Sequence, residues 1–229
     1  MVIEACQPYC APWMVLVRKL FERLLSAWMD TGTADPASRN AIDPPDRAVL
    51  EGVRREDPDA LGAFFEHYFD SVYALTYRLL GNRAKAEDAT QDIFCKLQRA
   101  ATKLDPDRDP TPWVTTITLN ACRSLWRSAA HRMDVRSSSL ESDSGAPIDV
   151  ISQSPNPEEA REAAEREKLV QTALMDLPDS LRTVVVLHDY QGLNHKEIAS
   201  LLEMGHDAIR KRYSRALAEL ADKLRGVWE

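Results

Sequence analysis

Apolar residues recur every three or four positions along most of the chain, which is the spacing of one face of an α-helix. The pattern is dense over residues 48–131. Asp57-Pro58 predicts a helix start, because Asp is a good N-cap and Pro fits the first helical position. Gly81-Asn82 predicts the end of that helix. The pattern then resumes over about residues 85–97 and again from Trp113.

A polar segment separates this region from a second helical one. Asp134 to Pro157 is rich in Ser, Asp and Pro and has little apolar content, which predicts an extended linker. Asn156-Pro157-Glu158-Glu159 predicts a new helix, because the acidic first turn suits the helix dipole. The helical pattern then continues to Trp228. We therefore expect an all-α protein with two small helical domains joined by a flexible acidic linker.

These patterns give the domain boundaries. We assign residues 48–132 to the first domain, 133–166 to the acidic linker and 167–229 to the second domain. Residues 1–28 form an N-terminal extension, and residues 29–47, with several prolines, are expected to be a flexible linker.

The extension contains a candidate amphipathic helix from Val15 to Trp28. This helix could dock on the body of the protein, act as a regulatory arm or lie on a membrane surface. Translation could also start at Met14 or Met29 rather than at Met1. The sequence does not decide among these alternatives.

Charge and cysteine content narrow the class of protein. The net charge of −7 argues against a general nucleic-acid coat protein, but basic residues cluster near Arg127 and near Arg210, and DNA contact needs only one basic face. Cys6 and Cys10 lack a matching Cys or His pair at zinc-finger spacing. We expect them, with Cys95 and Cys122, to be reduced thiols, and we expect neither a metal site nor a cofactor. No apolar run approaches the roughly 20 residues of a membrane span, which predicts a cytoplasmic protein.

Two segments carry the functional signal. In the first, Ala86 to Phe94, a helix would place Asp88, Gln91 and Asp92 on one face, forming an acidic strip for a basic partner helix. The second, Gly192 to Leu202 followed by a basic run, has the spacing of a helix-turn-helix. Asn194 and Glu197 predict a capping box on its first helix. Glu203, in the turn, is expected to adopt a left-handed conformation that Gly would adopt more freely.

The two segments, in this order and separated by an acidic linker, resemble the two characteristic regions of bacterial sigma factors of the extracytoplasmic-function (ECF) group in the sigma-70 family. The resemblance covers residues 48–132 and 167–225. It implies a protein that is not an enzyme and that directs promoter recognition and opening for transcription initiation, for a stress or envelope-response regulon. The implied partners are core RNA polymerase, promoter DNA and an anti-sigma factor.

The resemblance also implies three sets of site residues. Docking on a coiled coil of the largest polymerase subunit falls to Asp88, Gln91, Asp92 and Phe94. Contact with the −10 element falls to Asn120, in a pocket for a flipped base, with Arg123 and Arg127 on phosphates and Trp113, for which a core position is the favoured alternative. Contact with the −35 element falls to His206, Asp207, Arg210 and Lys211 at base edges and to Arg212 and Arg215 at phosphates.

The chain departs from the family pattern near the predicted −10 pocket. The loop from Asp105 to Pro110 is acidic where an aromatic, Gly and Ser mixture is usual, and Thr115, Thr116 and Thr118 replace larger or basic residues. These departures leave open an alternative function, a sigma-like adaptor or decoy that binds polymerase or an anti-sigma factor without opening promoters. A simple helix-turn-helix regulator is the other alternative, but it would give the segment from Asp88 to Phe94 no purpose.

Overall fold

The computed structural model describes residues 44–136 and 157–224, and within these residues every regular element is helical. The helices are α1 (Arg47–Arg54), α2 (Pro58–Leu80), α3 (Arg83–Arg99), α4 (Thr111–Arg136), α5 (Pro157–Met175), α6 (Asp179–Val185), α7 (His195–Leu201) and α8 (His206–Leu224). A short 3-10 turn, Ala101–Lys103, follows α3, and a single π-helical turn, Val186–Tyr190, continues α6. The all-α prediction is confirmed.

The ends of α2 follow the local sequence signals. The Asp57 carboxylate accepts hydrogen bonds from the backbone amides of Asp59 and Ala60, each at 3.0 Å, and Pro58 is the first helical residue. Gly81 ends the helix at φ 66°, a left-handed conformation that costs Gly nothing. Asn82 then caps α3 by accepting from the amide of Lys85. The predicted helix break at Gly81-Asn82 is therefore confirmed.

The first domain packs α1 to α4 around an aromatic core. Phe65 and Phe69 of α2 lie against Phe94 of α3, with ring centroids 4.8 and 6.2 Å apart. Buried aromatic side chains of this size contribute about 3 to 5 kcal/mol each when compared with alanine. The other large members of this core are Leu50, Val53, Leu61, Phe64, Tyr68, Val72, Tyr73, Ile93, Leu97, Leu104 and Val114.

The second domain, α5 to α8, is organised by one buried arginine. The guanidinium of Arg182 donates hydrogen bonds of 2.8 to 2.9 Å to the backbone carbonyls of Leu174, Met175 and Leu177 at the end of α5. The last carbonyls of a helix lack partners within the helix, so the arginine satisfies groups that would otherwise be buried unpaired. An apolar cluster around Leu174, Leu181 and Ala216 surrounds it.

The two domains also share a hydrophobic cluster. Leu75 and Leu79 of α2 and Leu119 and Cys122 of α4 lie in the same buried cluster as Val184, Leu187 and Ile198 of the second domain. Side chains of both domains therefore pack together in one cluster, to which α4 and α8 both contribute.

The linker assigned to residues 133–166 is shorter in the structure. Residues 133–136 continue α4, and residues 157–166 belong to α5. The segment is polar in composition, but its two ends belong to α4 and α5. The predicted amphipathic helix, Cys6, Cys10 and residues 29–43 lie outside the described residues.

Candidate polymerase-docking and DNA-binding surfaces

Helix α3 presents the predicted acidic strip to solvent. Asp88, Gln91 and Asp92 are all exposed, while Ala89, Ile93 and other residues on the opposite face are buried. The helix is thus amphipathic, and its polar face combines two carboxylates with an amide. Such a face can receive a basic helix of another protein.

Phe94 does not belong to that face. Its side chain is 3% exposed and packs against Phe65 and Phe69 in the core of the first domain. The assignment of Phe94 to polymerase binding is therefore corrected. Phe94 lies on the apolar, buried side of α3 and holds this helix against the core of the first domain.

Helix α4 carries a polar stripe along one side. Asn120 and Arg127 are exposed and Arg123 is half-buried. The spacing of three and four residues places all three on one face. The stripe offers an amide with donor and acceptor groups, followed along the helix by two cations that can bind phosphate.

Three threonines of α4 are satisfied within their own helix. The hydroxyl groups of Thr115, Thr116 and Thr118 donate to the carbonyl oxygens four residues earlier, at 2.8, 2.7 and 2.9 Å. A hydroxyl bonded in this way is not offering its proton to a ligand. Thr115 and Thr118 are also buried, so of the three only Thr116 is partly exposed.

Trp113 lies half-buried at the start of the stripe and packs against the core of the first domain, with its ring 6.5 Å from that of Phe64. Trp126 is also half-buried, in the cluster that the two domains share, 5.9 Å from the guanidinium of Arg182. The favoured core position of Trp113 agrees with this packing. The half-exposed indole leaves one edge near the polar stripe.

The acidic loop before α4 is held by its own carboxylates. Asp105 accepts from the amide of Asp107 at 3.1 Å, and Asp109 accepts from the amide of Thr111 at 2.8 Å, which caps α4. Asp107 also forms an ion pair of 2.9 Å with Arg47 of α1. Asp105 pairs with Arg108 at 3.2 Å, so arginines offset part of the negative charge of this loop.

Helices α7 and α8 form the predicted helix-turn-helix. Asn194 accepts hydrogen bonds from the amides of Lys196 and Glu197, and the Glu197 carboxylate accepts from the amide of Asn194 at 2.7 Å, so the capping box is confirmed. Glu203 in the turn adopts φ 54°, as predicted, while Ala199 and Ile209 are buried where the two helices cross. The turn amide of Met204 closes on the carbonyl of Ala199 at 2.9 Å.

The exposed face of α8 carries the predicted reading residues. His206, Asp207, Arg210 and Lys211 are all exposed, Arg212 is half-buried at the edge, and Arg215 is exposed. Arg215 forms a 2.9 Å ion pair with Glu219 one turn later, on the same helix. A phosphate would have to compete with that carboxylate for Arg215.

The sequence matches two family models, one in each domain and in the order expected for the family. The Sigma-70 region 2 model matches residues 64–132, and the Sigma-70 region 4 model matches residues 167–220. The chain belongs to the sigma-70 family, in its ECF group. Sigma factors of this kind direct transcription initiation.

Individual relatives agree with this family. The chain is 34% identical over 155 residues to the ECF RNA polymerase sigma factor SigE of Mycolicibacterium smegmatis, which covers 68% of this chain but only 58% of SigE. It is 27% identical to the ECF sigma factor SigW of Bacillus subtilis, over 78% of this chain and 96% of SigW. The sigma factor RpoE of Bartonella quintana, solved with the anti-sigma factor NepR, superposes with a TM-score of 0.56 at 21% identity, over 71% of this chain and 97% of that chain, and supports the fold.

One feature of this sigma factor escaped the sequence analysis. The rings of His188 and His195 stack with centroids 4.7 Å apart, and His206 lies 6.3 Å from His195. The ring of Tyr213 packs against His188 and His195, and its hydroxyl donates a hydrogen bond to Asp189 at 2.8 Å. Asp189 also contacts His188 at 2.7 Å. The signal available was that three of the five histidines fall within residues 188–206.

The surroundings of this histidine cluster change the chemistry of its central ring. Burial, together with the nearby His188, His206 and Arg210, lowers the pKa of His195 below its ordinary value. Its Nε2 is buried with no hydrogen-bond partner among the described residues. The neutral form of His195 is therefore the one that this sigma factor accommodates.

Of the four cysteines, Cys95 and Cys122 lie among the described residues. Burial raises the pKa of the Cys122 thiol to about 12, which makes it a poor nucleophile, and Cys95 is half-buried. The described residues contain no cluster of His, Cys, Asp and Glu suited to a metal ion. None of the helices described is both long and apolar enough to cross a bilayer.

Proposed function

We propose that this sigma factor docks on core RNA polymerase through α3, opens promoters through α4 at the −10 element and reads the −35 element through α8. The observation that carries the proposal is the exposed Asn120 amide, followed by Arg123 and Arg127 on the same face of α4. The same chain presents an intact helix-turn-helix whose second helix is basic. A duplex reader alone would not need the first of these surfaces.

Docking is assigned to Asp88, Gln91 and Asp92. Their exposed strip lies on a helix whose other face is fixed by core packing, so its position is set before any partner arrives. Preorganised charge of this kind steers a basic partner and fixes its register more than it adds affinity. Phe94 supports the strip indirectly.

Promoter opening is assigned to α4. Capture of an unpaired base needs a stacking surface and a group that can bond the base edge. Asn120 supplies the amide, Trp113 supplies a half-exposed aromatic ring on the same helix, and Arg123 and Arg127 are placed for backbone phosphates. The remaining negative charge of the loop from Asp105 to Asp109 would disfavour phosphates there.

Reading of duplex DNA is assigned to α8. The start of a recognition helix enters the major groove, which places His206, Asp207, Arg210 and Lys211 toward base edges. Arginine can bond guanine in a bidentate manner, while an acidic side chain accepts from cytosine. Arg212 and Arg215 lie further along and are assigned to phosphates.

The acidic loop favours a second candidate function. The loop before α4 carries three aspartates, two of them paired with arginines, and its remaining negative charge would weaken contact with DNA. The chain could then bind polymerase or an anti-sigma factor without opening promoters, as an adaptor or decoy. Both functions place the protein in the cytoplasm with polymerase, and neither gives it a catalytic role. An anti-sigma factor is proposed as a partner by analogy with the RpoE complex.

Run-off transcription on fragmented genomic DNA, with purified core polymerase of the same organism, tests the proposal. Discrete transcripts that need this protein support sigma activity, and their start sites give both promoter elements. Binding to core polymerase without transcripts supports the decoy. Asp88→Lys with Asp92→Lys should abolish polymerase binding, while Glu51→Lys, which makes half that charge change on α1, should not.

A further inference from the structure

The histidine cluster lies inside the helix-turn-helix and reaches the start of its second helix. His195 is the first residue of α7, and His206 is the first residue of α8. His188 belongs to the π-helical turn that precedes α7. The ring of His195 contacts both of the others, with centroids 4.7 Å from His188 and 6.3 Å from His206. The cluster therefore connects the π-helical turn to the helix assigned to the −35 element.

A carboxylate and a tyrosine hold the cluster in place. Asp189 lies 2.7 Å from Nδ1 of His188 and accepts a hydrogen bond of 2.8 Å from the hydroxyl of Tyr213 on α8. The ring of Tyr213 packs against His188 and His195, with centroids 4.4 and 5.1 Å apart. Because these contacts hold the rings in position, a charge brought near them acts on their protonation more than on their placement.

The free chain disfavours additional protons on the cluster. Burial, His188, His206 and Arg210, in that order, lower the pKa of His195, and Asp189 opposes them only weakly. The Nε2 atom of His195 is buried and has no hydrogen-bond partner among the described residues, so a proton there would lack an acceptor. Imidazoles this close titrate as a unit rather than one by one. The titratable and charged groups that face the cluster are Asp189 of the π-helical turn and Asp207, Arg210 and Tyr213 of α8.

Bound DNA changes the sign of the charge beside the cluster. His206, Arg210 and Lys211 are exposed on the face of α8 that is assigned to the −35 duplex. In the free chain this face is cationic, and the charge of Arg210 acts on His195. A duplex brings one negative charge about every 1.7 Å of its axis against the same face. An opposite charge nearby favours the protonated form of histidine.

We propose that the cluster of His188, His195 and His206 takes up a proton when α8 binds the −35 duplex, so that a fall in pH strengthens this binding. The inference rests on the proposed function, because it requires that α8 bind duplex DNA. Linkage gives the direction, since a lower pH favours the state that holds more protons. The free second domain, in contrast, loses stability when the cluster is protonated. Binding therefore strengthens with acidity only over the pH range in which the helix-turn-helix remains folded.

Calorimetry counts the protons without any change to the chain. The full chain is titrated with a −35 duplex from a promoter that the run-off assay has mapped, in two buffers of different ionisation enthalpy. The measurement is made at about pH 6.5, the ordinary pKa of histidine, where carboxylates contribute little because their ordinary values lie near 4. The difference between the two heats gives the number of protons taken up. We expect about 0.3 to 1 proton for each chain bound, shared over the cluster.

Fluorescence anisotropy over a pH series assigns these protons to the cluster. Between about pH 7.5 and 6, the Kd of the wild type should fall about three- to tenfold, because uptake of one proton changes affinity at most about tenfold per pH unit. In His195→Gln with His206→Gln, the Kd should change less than about twofold over the same interval. His67→Gln, on the exposed side of α2, is the matched control and should keep the wild-type change.

Circular dichroism at each pH checks that the chain remains folded. If the double variant has lost helix, the single variants His195→Gln and His206→Gln replace it, and each should show a smaller change in Kd than the wild type. The calorimetric count on the wild-type chain does not depend on any variant.

The outcomes separate this inference from the function on which it rests. If the chain binds the duplex but takes up no proton, and its Kd is independent of pH, the inference is rejected. If the double variant keeps the wild-type change in Kd, the protons bind outside the cluster and the inference is rejected as well. If the chain binds no duplex at any pH, the proposed role of α8 itself fails.

Discussion

The two helices assigned to DNA are built for different tasks. Helix α4 shows one amide and two arginines on its polar stripe, and an acidic loop precedes the helix. Over residues 206–216, the exposed face of helix α8 shows arginine, lysine and histidine with one aspartate, Asp207, among them. The polar stripe of α4 therefore carries fewer cations for phosphate contact than the exposed face of α8.

This difference points to different sources of binding energy. A surface poor in cations must gain affinity from stacking and base-edge hydrogen bonds, which suits an unpaired strand. A cationic helix gains affinity from counterion release, which is strongly dependent on salt and independent of sequence. We therefore expect substitutions on α4 to affect promoter opening and those on α8 to affect duplex binding.

The largest expected effect is at Asn120. Asn120→Ala removes the only amide of the stripe, so transcription from a mapped promoter should fall more than tenfold while binding to core polymerase is retained. Thr116→Ala is the matched control, because the Thr116 hydroxyl already donates to Pro112 within the helix. Its effect should be less than threefold. Equal activity of Asn120→Ala and wild type would remove Asn120 from the −10 site.

The next largest expected effect distinguishes two arginines on the exposed face of α8. Arg210→Ala should weaken binding to a −35 duplex about 5- to 150-fold and relax preference at one base pair, as expected for loss of a base contact. Arg215→Ala should weaken all sequences alike and reduce the slope of log affinity against log salt by about 1. Because Arg215 is paired with Glu219, its effect should be the smaller. Fluorescence anisotropy over a salt series with a panel of duplexes measures both.

Loss of affinity that is uniform across the panel for both variants would show that Arg210 contacts phosphate rather than a base. In that case the sequence preference of α8 would have to come from its other exposed residues, His206, Asp207 and Lys211. The comparison with α4 would survive, since it depends on charge and not on the reading of a particular base.

Each domain has one turn that holds a residue with a side chain in the left-handed region: Glu56, at φ 59°, in the first domain and Glu203, at φ 54°, in the second. Gly81, at φ 66°, adopts the same conformation without a side chain. A left-handed conformation costs a residue with a Cβ about 1 kcal/mol, so Glu203→Gly should raise the free energy of unfolding by about that amount. Ser200→Gly, inside α7, should lower it by about 0.5 to 1 kcal/mol. Urea unfolding followed by circular dichroism gives both values, and a destabilised Glu203→Gly would contradict the argument.

Such local features were accessible from the sequence because their causes lie within a few residues. The cap at Asp57, the capping box of Asn194 with Glu197 and the strain at Glu203 each depend on neighbours along the chain. The exposed strip at Asp88 followed from helical spacing in the same way. Burial of Phe94 was also accessible, because it shares the apolar side of α3 with Ile93 and Leu97.

The contacts between the domains were not accessible in this way. The hydrogen bond from Arg182 to Leu79 joins residues about a hundred positions apart, and the stacking of Arg78 on Tyr190 does the same. Each residue alone resembles an ordinary surface cation in the sequence. The pairing depends on how two folded domains meet, and no local pattern encodes that geometry.

The smallest expected effect is a dependence of the second domain's stability on pH. Burial and nearby cations lower the pKa of His195 below its ordinary value of 6.5, so the folded chain disfavours the protonated ring that the unfolded chain accepts. Stability from this group is complete above about pH 6.5 and is lost as the pH falls through 6.5 toward the lower folded value. The groups that face His195 are His188 and Asp189 of the π-helical turn and His206, Arg210 and Tyr213 of α8.

Urea unfolding of the full chain between pH 7.5 and 5.5 isolates this contribution. His195→Gln should flatten the fall in the free energy of unfolding over that interval, because the titrating ring is gone. His67→Gln, on the exposed side of α2, is the matched control and should leave the fall in place. An identical slope for His195→Gln and wild type would contradict the assignment of the pH response to His195.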